Sequence, residues 1–132
     1  MKRFMFAAVF FVLPITGFAQ EALSPDAFDR YTRGKTIFFN LLGTEFGAEQ
    51  YFPNRRVIWA YADGTCIDGQ WYVEQEQICF VYDGQIEPQC WSFFLQGGRL
   101  KALFENDPEQ TTLYELRKTE GPLICPGPNV GV

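Results

Sequence analysis

Four cysteines, sixteen acids and no histidine set what chemistry this 132-residue chain can do. Without histidine the commonest general base and the commonest metal ligand are missing, so the usual Ser and Cys triads are excluded. Ser24 reads as a helix cap and Ser92 as a mid-strand residue. The cysteines are Cys66, Cys79, Cys90 and Cys125. Their spacing contains no C-x2–4-C pair, which disfavours zinc and a C-x-x-C redox centre. An even count in a short chain reads instead as two disulfides formed in an oxidising compartment. Cys79 and Cys90 flank a turn at Asp83-Gly84-Gln85 and are expected to face each other across a hairpin. Cys66 and Cys125 then form the second bridge, which closes a long loop and contributes roughly 4 kcal/mol.

Carboxylate pairs are the remaining catalytic option. Glu45 with Glu49 and Asp63 with Asp68 are the candidates, and each lies beside a turn glycine. Solvated turn acids explain them more simply, as they do Asp83. Calcium-loop, phosphate-loop and dinucleotide signatures are absent. The expectation is therefore no catalytic constellation, no metal and no cofactor.

The elements that must position these groups start with an export signal. Lys2 and Arg3 precede an apolar run from Phe4 to Ile15, and Gly17-Phe18-Ala19 offers small residues for cleavage after Ala19. The run is far short of the ~20 residues a bilayer span needs. Residues 1–19 read as a signal peptide and 20–132 as one disulfide-stapled domain, exported to the periplasm with no membrane anchor after cleavage. Losing Lys2 and Arg3 takes the net charge from −5 to −7. So acidic a domain has no general attraction for nucleic acid, and its densest basic spots, Arg55-Arg56 and Arg117-Lys118, are only pairs.

Ser24-Pro25-Asp26 caps a short helix that Gly34 stops, with Phe28 and Tyr31 as its apolar side, expected to plug one end of a sheet. Thereafter the period is two. Strands are predicted over 36–42, 48–52, 55–61, 69–74, 78–82 and 111–117, with Gly43 and Gly47 as breaks and Gln75-Glu76 as a turn. Gln89 to Glu105 is the clearest passage. A two-residue turn at Gly97-Gly98 pairs Leu95 with Leu100, Phe93 with Ala102 and Trp91 with Phe104 on one apolar face. A one-residue slip would destroy that match. The fold class is thus mainly β: a single antiparallel meander of seven or eight strands, curled into a small barrel or strongly bent sheet, with one short N-terminal helix.

Gly69-Gln70-Trp71, Ile78-Cys79-Phe80-Val81-Tyr82 and Cys90-Trp91, with Gly34-Lys35-Thr36 before the first strand, form a pattern. It resembles small exported proteins of alphaproteobacteria, some of them described as lipocalin-like. The resemblance covers roughly residues 24–117 and leaves out the Gly47–Phe52 stretch and the Cys-Pro-Gly-Pro tail. It implies a fold, and it carries over no catalytic residues.

Eighteen aromatic residues remain after residue 19. Most must fill the core of so short a chain, and a surplus can line a cavity for a small apolar ligand. Tyr51, Phe52, Tyr72 and Phe94 have no assignable face; side by side on the outside they would make a protein-binding patch. The expected role is a monomeric periplasmic binding protein for a small apolar ligand or another envelope protein. The alternatives are a structural or inhibitor module of the envelope and, behind both, a carboxylate-dependent hydrolase.

Overall fold

The computed structural model describes residues 9–17, 20–107, 109 and 111–125. The basic start, the cleavage position at Ala19 and the Pro-rich tail after Cys125 lie outside the described residues. Residues 9–17 form no helix or strand, and their apolar side chains are exposed.

Helix α1 spans Pro25–Thr32. The Ser24 hydroxyl accepts the Ala27 N–H at 3.1 Å, and Gly34 leaves the helix at a φ of 77°. Eight strands follow: β1 Thr36–Leu41, β2 Thr44–Tyr51, β3 Arg56–Tyr61, β4 Cys66–Glu74, β5 Gln77–Tyr82, β6 Gln89–Gln96, β7 Arg99–Phe104 and β8 Thr112–Thr119. Each pairs antiparallel with its neighbours, and β8 returns to pair with β1, so the meander is a closed barrel. The β6–β7 hairpin holds the expected register, with Leu95 opposite Leu100, Phe93 opposite Ala102 and Trp91 opposite Phe104. Both turn glycines adopt positive φ, as a primed turn requires.

Two strands run longer than their glycines suggest. β2 starts at Thr44 because Gly47 does not break it; a Cβ there would lie 2.2 Å from the Trp59 ring, so the strand uses the missing side chain to admit an indole. β4 starts at Cys66, and Gly69 likewise makes room for the Tyr82 ring at 2.7 Å. Phe46 is an extra residue between the pairs Phe39–Gly47 and Asn40–Glu45, a bulge that changes which face the start of β2 presents.

Alternate residues of every strand point inward, and Ile37, Val57, Trp71, Phe80, Phe93 and Leu100 are nearly inaccessible to solvent. α1 closes one end. Phe28, fully buried, sits with its ring 4.5 Å from Phe93, 5.3 Å from Trp71 and 5.7 Å from Tyr51. β5 and β6 share three paired positions, Ile78–Trp91, Cys79–Cys90 and Phe80–Gln89. The outer half of β6 is instead covered by the segment before α1, where the Leu23 N–H bonds the Phe93 carbonyl at 2.7 Å and the Gln20 amide bonds Leu95. Cys79 is bonded to Cys90 across that short seam, and Cys66 to Cys125 beside the start of β4. The two bridges fit an oxidising, extracytoplasmic setting. No helix among the described residues is long and apolar enough to cross a membrane.

Candidate functional site

The end of the barrel opposite α1 is open. It is framed by the β1–β2, β3–β4, β5–β6 and β7–β8 connections. A cavity of about 140 Å³ runs inward from it, and nine of its thirteen lining side chains are aromatic. Trp59 is the hub of one wall, with ring centres 5.9 Å from Phe46, 6.4 Å from Phe39 and 6.4 Å from Tyr61. Phe80 and Tyr82, on β5 two strands away, stack at 6.1 Å. Phe93, Ala102 and Leu113 form the floor above the ring of Phe28. At the lip the Gln89 amide donates to Gln85 at 3.2 Å, and the Gln85 amide donates to the Tyr61 hydroxyl at 3.3 Å. A wider groove at the same rim includes Phe46, Ile86 and Trp91.

One acid belongs to this interior. Glu49 is 2% exposed and lines the cavity. It lies in the same paired position as Trp59 on the neighbouring strand. Its carboxyl oxygens lie 2.9 and 3.0 Å from the Tyr82 hydroxyl, its hydrogen-bond partner among the described residues. Burial pushes the Glu49 pKa up to about 8, with the Tyr82 hydrogen bond pulling the other way. At neutral pH the carboxyl is therefore mostly protonated and has an O–H of its own to give. Burial, reinforced by Glu49, raises the phenols of Tyr51 and Tyr82.

The carboxylate pairs expected from sequence do not converge. The Phe46 bulge separates Glu45 from Glu49: Glu45 is exposed beside Arg117 at 3.8 Å, while Glu49 is inside. The expectation of a solvated Glu49 is corrected here, because Glu49 alternates onto the inward face of β2 with Tyr51, opposite Trp59. Asp63 accepts the Thr65 N–H and hydroxyl at 2.9 and 2.7 Å, which hold its pKa below the usual carboxylate range, and Asp68 is exposed on β4. The metal-ligand group found among the described residues is Glu74, Cys79 and Cys90, whose two sulfurs are bonded to each other. The four aromatics of unassigned face do not gather outside. Tyr51 is buried in the core; Phe52 lies under Arg56 and Phe94 under Lys101, and Tyr72 is half-buried on β4 opposite Cys79.

Charge divides along the barrel axis. The loops of the open end hold Asp63, Asp83, Glu87, Glu105, Asp107 and Glu109, and no lysine or arginine. All nine basic residues after Arg3 lie on α1, beside the start of β1 and β3, on the first half of β7 or at the end of β8. Each of those places is at, or next to, the end that α1 closes. Sequence reasoning named Glu49 only as half of a pair with Glu45 and read it as solvated, and it missed this polarity. The available signal for Glu49 was its place two residues before Tyr51, on the same face of a strand. Comparison of the chain with protein-family models, with curated proteins and with solved structures finds no match.

Proposed function

We propose that this is an exported periplasmic binding protein that holds a small apolar ligand inside its barrel, entering at the end opposite α1. The observation that carries it is the aromatic cavity of about 140 Å³, plugged at one end by Phe28 and open at the other. An apolar cavity of about 150 Å³ is large enough to take a benzene molecule. The N-terminal apolar run and the two disulfides support export. The barrel's apolar inside and mixed, partly charged outside reverse the pattern of a barrel that faces lipid. A cavity of this kind favours ligand binding over a purely structural module, and the scattering of the outer aromatics favours it over docking of another envelope protein.

Trp59 and Trp91 line the cavity and report on it. Titration with benzene is expected to change tryptophan fluorescence saturably, and Ala102→Leu, which fills the floor, is expected to abolish the change while the variant stays folded. A linear, unsaturable response of the unaltered protein, or a saturable response that survives Ala102→Leu, would overturn the proposal.

A further inference from the structure

Three features of the open end converge on the kind of molecule it takes. Glu49 is a buried carboxyl on the cavity wall whose hydrogen-bond partner among the described residues is one phenol. The rings of Trp59, Tyr61, Tyr82 and Trp91 line the same cavity. Ring faces attract cations, and more so where water is excluded. The loops at the mouth hold six acids and no base; the bases lie on strands and helix toward the far end, with the Arg117 side chain reaching Glu45. A cleft edged with one sign of charge draws in ligands of the other sign. An anion would meet repulsion at the rim and find no basic partner among the lining residues.

Building on the ligand-binding role proposed for this cavity, we infer that its ligand is a small organic ammonium ion, its apolar body among the aromatic rings and its charged nitrogen paired with Glu49. No lining residue competes for that role, because the other polar groups in the lining are the Gln89 amide, tyrosine hydroxyls and indole N–H groups, none of them a carboxylate. The titratable groups that interact with Glu49 are Tyr51 on β2 and Tyr82 on β5; behind them, Tyr61 on β3 acts on Tyr82 and Glu115 on β8 acts on Tyr51. None of these is a cation, so a bound ammonium supplies the positive charge the site lacks. Binding must also expel the proton that Glu49 carries when empty, leaving a carboxylate beside the ammonium.

Benzylammonium and ethylbenzene have nearly the same shape and differ by one charge. Calorimetric titration of the unaltered protein at pH 8 and low salt is expected to show benzylammonium binding at least tenfold tighter than ethylbenzene. The preference should shrink as salt screens the rim. Below the Glu49 pKa of about 8, benzylammonium affinity should fall by up to about tenfold for each pH unit while ethylbenzene affinity stays level. Glu49→Gln should collapse the ratio of the two affinities to within about twofold. Ethylbenzene binding as tightly as benzylammonium at pH 8 would sink the ammonium assignment and leave the apolar-ligand role standing. If neither compound binds, that role falls as well. The pH series on the unaltered chain decides the matter even if Glu49→Gln fails to fold.

Discussion

The plugged end and the cavity of this barrel each bury a glutamate beside a tyrosine, and they use it differently. At the closed end one Glu115 oxygen accepts both the Tyr31 hydroxyl at 2.7 Å and the Leu100 N–H at 2.8 Å. Tyr31 also lies 3.1 Å from the Gly98 carbonyl, so the group ties α1 to the β6–β7 turn and to β8. On the cavity wall Glu49 has the Tyr82 hydroxyl and then open space. A carboxyl with two donors from two elements is a fastener. A carboxyl with one donor and space in front of it is free to meet something that arrives. Packing follows the same division: Phe28 is fully buried among four rings, whereas Phe46 and Tyr61 at the mouth are each 42% exposed.

The largest test of this contrast is at the plug. Phe28→Ala should cost about 3–5 kcal/mol, read by denaturant unfolding, because the void cannot collapse against a rigid barrel. Phe46→Ala should cost less than about 1 kcal/mol. Equal losses would erase the distinction between a load-carrying end and a receptive one.

Next is the response to pH. The folded state holds the Glu49 proton up to about pH 8, while the unfolded chain releases it near 4.5. That contribution to stability is complete below about pH 4.5 and is lost as pH rises to about 8, at no more than about 1.4 kcal/mol per unit. Unfolding midpoints measured across that window should therefore fall with pH, and Glu49→Gln should flatten the slope. A slope that persists in the variant would place the proton elsewhere.

A smaller effect separates the two acids directly. Glu115→Leu leaves the buried Leu100 N–H without an acceptor and should cost about 2 kcal/mol. Glu49→Leu strands only the Tyr82 hydroxyl and removes a group that is costly to ionise, so above pH 8 it should cost clearly less. Guanidine unfolding at pH 8.5 compares them.

The smallest change tightens the closed end. Gln75 and Glu76, between β4 and β5, both sit at positive φ, which side chains resist. Replacing them with Asn-Gly should raise stability by about 0.5–1 kcal/mol in a thermal melt and leave ligand affinity alone.

Much of the frame is legible in the chain. Gly97-Gly98 sets the register of β6 and β7 because only one pairing puts all the apolar residues on one face. Ser24, Pro25 and Gly34 mark α1 through rules that act within a few residues. The site is less legible because it depends on contacts between distant residues. Gly47 looks like an interruption until Trp59, from the next strand, is seen to fill its place. Glu49 looks solvated until it is seen to share the inward face of β2 with Tyr51, opposite Trp59. The acids of the mouth are spread over three loops and become a pattern only when the topology sends them to the same end.

The pairing of β1 with β8 has a kinetic meaning. Thr36 finds its partner at Thr119, so the wall cannot shut until nearly the whole chain is available. Seven of the eight pairings join strands adjacent in sequence, so this remote one carries the largest loop-closure cost and leaves an interval before closure. In that interval the first strand shows bare amides and carbonyls, an invitation to neighbouring molecules at high concentration. The last eight residues of the barrel therefore decide when this polypeptide stops being vulnerable to self-association.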